Sequence, residues 1–220
     1  DIGEPLRRAE LGGVLSLQEL AAVGDTCRAA RQTKDFFSQL KGSYPVTSGL
    51  AKLLGIYKTI ESALEKALTP EGAIADTASD KLYSLRKRIR QNQDRVKERL
   101  EHFIHNPNTA KYLQDPIVTM RAGRYVVPVK QEYRAQVPGM VHDMSASGAT
   151  IFVEPMGVME ANNELSQLHA EEQEEIAAIL HALTVLVAGF VEDIRFSLEL
   201  LVKLDFIFAK GRLSQRMDGA

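Results

Sequence analysis

Residues 115–155, DPIVTMRAGRYVVPVKQEYRAQVPGMVHDMSASGATIFVEP, decide how the rest of the chain is read. This stretch alone has the grammar of a β-sheet. Ile117–Arg121 and Arg124–Lys130 are rich in β-branched and aromatic residues. They are split by Ala122-Gly123, a two-residue break that suits a tight hairpin. Pro138–Met144 and Ala149–Glu154 make a second pair, joined by Ser145-Ala146-Ser147-Gly148. Four short strands need cover on one face to be stable. The flanking residues read as helix, so a small sheet is expected at the end of the helices that carry it.

On the N-terminal side the first ten residues show no pattern, and Gly12-Gly13 reads as a loop. Ser16-Leu-Gln-Glu19 is a capping box, in which serine oxygen and glutamate carboxylate satisfy each other's backbone amides. A helix should follow to about Leu40, with Leu20, Val23, Cys27, Ala30 and Phe37 near one face. Gly42-Ser43-Tyr44-Pro45 should end it. Leu50, Leu53, Leu54, Tyr57, Ile60, Leu64 and Leu68 predict a second, single helix, closed by a turn at Thr69-Pro-Glu-Gly72.

Ser79 is placed to cap the next helix. Leu82, Leu85, Ile89, Asn92, Val96, Arg99 and Phe103 alternate by three and four, a heptad seam with two polar members. Asn106-Pro107-Asn108 breaks it after His105. Beyond the sheet, Leu165, Leu168, Ile176, Ile179, Leu183, Leu186, Phe190 and Ile194 repeat these steps, with one gap at Glu172, and continue through Leu198, Leu201, Leu204 and Phe208. Unbroken, this would be one helix of roughly 75–80 Å. The expected fold is mainly α with a small antiparallel β element: a helical core, a two-helix antiparallel coiled-coil lever and a four-stranded β tip. The boundaries read as 1–78 for the N-terminal part of the core, 79–114 for the ascending helix, 115–155 for the β element, 156–188 for the descending helix and 189–220 for the return to the core.

The chain has 220 residues, 45% hydrophobic and 25% charged, as an ordinary globular protein does. Its longest stretch without formal charge, Ile176–Val191, contains His181 and Thr184 and is flanked by acids, so it reads as a buried core helix rather than a membrane span. The one cysteine, Cys27, forms no internal disulfide and fits a reducing compartment. The start at Asp1, with no signal pattern, suggests a piece of a longer protein.

Net charge is −2, but its distribution is uneven. Arg86–Arg99 holds seven Lys/Arg against Asp94 and Glu98, and Arg121, Arg124, Lys130 and Arg134 follow. From Ala135 to Ile194 there is no Lys or Arg, while Glu154–Glu175 holds seven glutamates. Cations on a projecting helix and sheet can neutralise phosphates without reading sequence. The helix cations can instead pair with the acidic helix, whereas those of the β element have fewer acidic neighbours in sequence. The candidate nucleic-acid contacts are therefore Arg121, Arg124, Lys130 and Arg134, then Arg86, Lys87, Arg90 and Arg95. Tyr125 and Tyr133 lie among them and could stack on bases or pack inward.

Other chemistry reads weakly. No phosphate-binding P-loop or dinucleotide fingerprint is present. His142, Asp143, Ser145 and Ser147 suggest a triad, but neighbours on a strand face opposite sides and the serines suit a turn. His102 and His105 lack further metal ligands and fit a helix C-terminus. No catalytic, cofactor-binding or metal-ligating residue is assigned.

Four stretches resemble the MutS family of DNA-binding ATPases, and specifically its type-II bacterial paralogue: RRAELGGVLSLQEL, GAIADTASDKLYSLRKRIR, the 115–155 stretch and LDFIFAKGRLSQRM. The 115–155 stretch is the most specific, resembling that paralogue's clamp. The resemblance implies an internal core–lever–clamp segment that is itself non-catalytic. In the longer protein it implies an ATPase domain using ATP and Mg, a C-terminal Smr endonuclease domain, homodimerisation and a bacterial cytoplasmic, nucleoid-associated setting, with no membrane partner. It implies DNA as partner, branched (Holliday junction) or duplex, with suppression of homologous recombination and DNA repair as the role. Ribosomal RNA in stalled-ribosome rescue is the alternative nucleic-acid partner, and a purely structural lever or dimerisation module the alternative function.

Overall fold

The capping box at Ser16 forms as its residue types dictate. In the computed structural model, which describes residues 2–40, 42 and 44–217, the Glu19 amide donates to Ser16 Oγ at 3.3 Å and the Ser16 amide to Glu19 Oε2 at 2.9 Å. The chain is 69% helical with one four-stranded antiparallel sheet, the mainly α class expected. The helices are α1 (Gly3–Glu10), α2 (Leu17–Gln39), α3 (Pro45–Lys52), α4 (Lys58–Ala67), α5 (Asp80–His105), α6 (Pro107–Ala110), α7 (Met159–Ala188) and α8 (Val191–Arg216), and the strands are β1 (Thr119–Arg121), β2 (Arg124–Lys130), β3 (Gly139–Met144) and β4 (Thr150–Pro155). Of the turn read at 42–45, Ser43 lies outside the described residues, as do 218–220 of the last segment. Two compact units result, Asp1–Ser79 with Ile176–Ala220, and Asp80–Glu175.

The first unit has two neighbouring cores. Leu6, Leu20, Val23, Cys27, Ile60, Leu64, Val187 and Ile194 form one; Ala30, Phe37, Ala51, Leu54, Leu200 and Leu204 form the other. Each buried Leu or Ile contributes about 1.5–3 kcal/mol against leaving it in water. Three expectations are corrected here. The first ten residues are not patternless: α1 buries Leu6 and Ala9, one helical step apart. The single helix read over 50–68 is two. Between α3 and α4, the Gly55 amide donates to Ser197 Oγ at 3.0 Å and Lys34 Nζ to the Leu54 carbonyl at 2.6 Å. A side chain at Gly55 would sit 2.2 Å from the Tyr57 hydroxyl, which itself donates to the Asp193 carbonyl at 2.6 Å. The long C-terminal helix is also two, bent by 70° at Gly189-Phe190. Phe190 and Phe208, read as seam residues, are therefore exposed, while Val187, Val191, Leu200 and Leu204 are buried. No single helix among the described residues is long and apolar enough to cross a membrane.

Glu61 is buried and takes a forked pair of bonds from Arg31, Nε to Oε1 at 3.1 Å and Nη2 to Oε2 at 2.9 Å. Beside it, burial pushes the Cys27 thiol up to about 12, with the Glu61 charge adding to the effect.

In the second unit α5 and the first part of α7 run antiparallel, as Lys81–Glu175, Arg86–Glu172 and Arg88–Glu164 show by their descending register. Leu82, Leu85, Ile89, Asn92 and Val96 are buried as expected, but the stripe then continues through Leu100 and Ile104 in place of Arg99 and Phe103. A straight helix has 3.6 residues per turn and drifts off a 3.5-residue repeat, and here the drifted stripe meets the sheet rather than another helix. The sheet order is β1-β2-β4-β3. Ala122 and Gly123 both take positive φ, 49° and 75°, in the turn between β1 and β2. Tyr125, Val127, Val129, Ile151 and Val153 pack against α5. Gly139 is required by contact: a Cβ there would lie 2.1 Å from the Glu154 carbonyl oxygen.

Cys27 should resist maleimide in the native protein at pH 8, where only about one thiol in ten thousand is ionised, and react fully in denaturant, as intact-mass spectrometry will show. The side-chain oxygen of Asn92 is buried in the α5–α7 seam with no partner. Asn92→Leu is expected to raise stability by about 1–2 kcal/mol, read from urea unfolding.

Candidate nucleic-acid interface

Glu154, on β4, is 1% exposed. A buried carboxylate must be paired and hydrogen-bonded, because its desolvation otherwise costs more than the fold can supply. The sheet register brings the partners. Arg124 Nη1 donates to Oε1 at 3.1 Å, Asn162 Nδ2 to the same oxygen at 2.9 Å, and His142 Nε2 meets Oε2 at 2.5 Å. Asn162 Nδ2 also donates to the Tyr125 carbonyl at 3.1 Å, and Arg124 Nη1 to Asn163 Oδ1 at 2.7 Å. One carboxylate thus ties β2, β3, β4 and the start of α7.

His142 sits where the β3–β4 register shifts between Val141 and Asp143. This bulge re-aims a side chain that regular alternation would send elsewhere. Its neighbour Asp143 goes to Arg121 instead, Nε–Oδ2 3.1 Å. The Ser145 hydroxyl accepts from the Thr150 amide at 3.1 Å and lies 3.3 Å from Ser147 Oγ, so both serines close the β3–β4 turn. His142, Asp143 and the two serines of the triad pattern thus go to separate partners, the serines sharing one turn.

The cations of the β element are not short of acidic neighbours, which corrects the expectation from sequence spacing. Antiparallel pairing puts Asp143 and Glu154 beside residues twenty or thirty positions away. Arg124 is committed to Glu154. Arg121 pairs with Asp143 and lies 4.0 Å from the Phe152 ring centre. Arg134 donates to the carbonyls of Val137 at 3.1 Å and Gly139 at 2.9 Å, fastening the connection between β2 and β3. Lys130 has no carboxylate partner among the described residues; its ammonium is 3.5 Å from the Lys111 carbonyl and 5.9 Å from the Tyr133 ring centre. On α5, Arg86 Nε donates to Glu172 at 2.7 Å. Arg90 is exposed. Lys87 and Arg95 are exposed and form no ion pair among the described residues. Tyr125 is buried against the core, and Tyr133 is half-buried beside it.

Lys111 was not legible as a site residue. It precedes the β stretch, and only the bridge between Leu113 and Val129 sets its segment beside β2. The Lys130 amide donates to the Tyr112 carbonyl at 3.0 Å. The repeated pairing of a lysine with a following tyrosine, Lys111-Tyr112 and Lys130…Tyr133, was the available signal.

Residues 80–134 carry thirteen Lys/Arg and six Asp/Glu; residues 135–175 carry no Lys/Arg and eight Asp/Glu. The unit is nearly neutral overall, so attraction for an anion rests on those cations left without a partner. Among the described residues no group of three or more His, Cys, Asp and Glu could hold a metal ion.

No family model matches the chain. It is 49% identical over 218 residues to a protein named endonuclease MutS2 from Pelotomaculum thermopropionicum, covering 99% of this chain and 28% of that protein. A protein of the same name from Symbiobacterium thermophilum is 44% identical over 218 residues, covering 99% and 27%. One from Alkaliphilus metalliredigens is 43% identical over 221 residues, covering 100% and 28%. The chain thus spans little more than a quarter of the length of these curated relatives.

Removing the carboxylate in Glu154→Ala leaves Arg124 and Asn162 facing a buried vacancy. The variant is expected to lose about 3–5 kcal/mol in urea unfolding, with hydrogen exchange accelerated in β2, β3 and β4.

Proposed function

We propose that this chain, which matches MutS2 proteins from end to end as a segment of a MutS-family protein does, is a DNA-holding region of such a protein. Its second unit grips the phosphate backbone of branched or duplex DNA. The observation that carries this reading is that several cations have no carboxylate partner among the described residues, among them Lys87, Arg95, Lys97 and Arg99 on α5, and Lys111 and Lys130 beside the sheet. Lys87 and Arg95 are about 12 Å apart along the helix, a span that reaches more than one phosphate. Such contacts position a protein on a duplex without reading bases, so the grip is indifferent to sequence. Arg121, Arg124 and Arg134, occupied within the fold, act as its frame.

The cutting that the relatives' name denotes belongs, in this reading, to another part of the longer protein. His142, Asp143, Ser145 and Ser147 are each committed elsewhere in the fold, which supports a holding role here. ATP and Mg, homodimerisation and a part in limiting recombination are carried by the resemblance and attach to the longer protein in the same proposal.

A second reading has its own support. Three α5 cations, Lys81, Arg86 and Arg88, lie against α7 glutamates, as a purely structural helix pair would have them. Mobility-shift titrations of a four-way junction and a plain duplex at two salt concentrations separate the two. The holding role predicts binding that weakens as salt rises. Reversing both charges in the Lys87→Glu/Arg95→Glu variant should weaken all DNA alike and lower the salt slope by about two. Unchanged binding by that variant removes α5 from the interface; absent binding by the wild-type chain favours the structural module.

A further inference from the structure

Lys111, Tyr112, Lys130 and Tyr133 come together from two segments. The Lys111 ammonium lies 5.0 Å from the Tyr112 ring centre, and that of Lys130 lies 5.9 Å from the Tyr133 ring centre. The two rings are 5.3 Å apart and tilted by 50°. Lys130 Nζ reaches the Lys111 carbonyl at 3.5 Å, the limit of a hydrogen bond. Neither lysine has a carboxylate partner among the described residues, although Glu132 is two positions from Lys130. Elsewhere on this sheet the cations Arg121 and Arg124 are neutralised by Asp143 and Glu154. Two like charges left together without a counter-charge make a local demand for an anion.

The rings specify what kind. Both tyrosines pack against the core of the second unit, so their positions are fixed before any ligand arrives. An aromatic ring flanked by an ammonium suits a base attached to its phosphate: the base takes the ring face and the ammonium moves to the phosphate oxygen. A lysine resting on a ring at 5–6 Å is weakly held and readily exchanged for this purpose. Beside Lys130 a shallow depression is lined by Gln114, Gln131, Glu132, Ser147 and Gly148, where the missing Gly148 side chain leaves open space and Glu132, which makes no ion pair with Lys130, is the one acid. That gives a backbone room to pass. A duplex cannot use the rings, because each base face is already covered by its neighbour in the stack; an unpaired strand can.

We infer that Lys111, Tyr112, Lys130 and Tyr133 form a binding site for unpaired DNA, with the lysines on phosphates and the tyrosines under bases. The site rests on the DNA-holding reading and deepens it: it would let the protein prefer DNA with an open single-stranded arm over continuous duplex.

The test is fluorescence anisotropy of the full chain with labelled oligo(dT), a forked DNA with one single-stranded arm, and a blunt duplex. Tyr133→Leu is expected to weaken oligo(dT) and fork binding about tenfold, with duplex binding held within twofold. Lys111→Gln/Lys130→Gln, which removes two phosphate contacts, should weaken every DNA, but oligo(dT) and the fork by the larger factor. Tyr133→Phe, which keeps the ring, should bind as wild type and controls for folding. The chain contains no tryptophan. Emission from Tyr133→Trp should therefore report the site alone, and be quenched by oligo(dT) but not by duplex. Equal losses on duplex and single strand overturn the inference, as does single-strand binding that all these variants leave intact, or tighter binding of the matching RNA. Duplex binding without oligo(dT) binding sinks the inference and leaves the holding role standing; no DNA binding at all sinks both.

Discussion

The second unit is organised by the requirement that one buried negative charge be neutralised. Glu154 cannot reach water, so Arg124, His142 and Asn162 must stay beside it. Satisfying it brings His142 in at the bulge in β3 and holds the beginning of α7 against the sheet. It also holds Arg124, one of the four β-element cations read from sequence as candidate nucleic-acid contacts, inside the fold.

Much of the architecture was legible because it obeys local rules. The Ser16–Glu19 box, the Ala122-Gly123 turn and the four strands follow from residue types within a few positions of one another. What could not be read depended on residues far apart in sequence. The break between α3 and α4 exists because Ser197 and Asp193 supply partners for Gly55 and Tyr57. The apolar repeat runs past Gly189-Phe190 without interruption, so periodicity alone gives no sign of a 70° bend. The seam of α5 drifts to Leu100 and Ile104 because it packs on strands there, whose side chains do not impose a seven-residue repeat.

The candidate site was legible in kind but not in detail. Counting charges along the chain located the basic half of the second unit. It could not tell which cations are spent inside the fold, since that is set by strand register. Asp143 and Glu154 lie in a stretch with no Lys or Arg of its own and neutralise arginines from the stretch before it. Four of the cations without a carboxylate partner among the described residues, Lys87, Lys97, Lys111 and Lys130, are lysines. A lysine's flexible stem suits a surface whose partner varies, while the planar fork of arginine suits a fixed internal carboxylate.

Cys27 is the chain's one cysteine, and its sulfur is enclosed by the first unit's core. The accessible surface is thus chemically silent toward thiol reagents. A single cysteine installed on any exposed loop would be a unique address for a fluorophore or spin label, with no need to engineer a background free of native thiols.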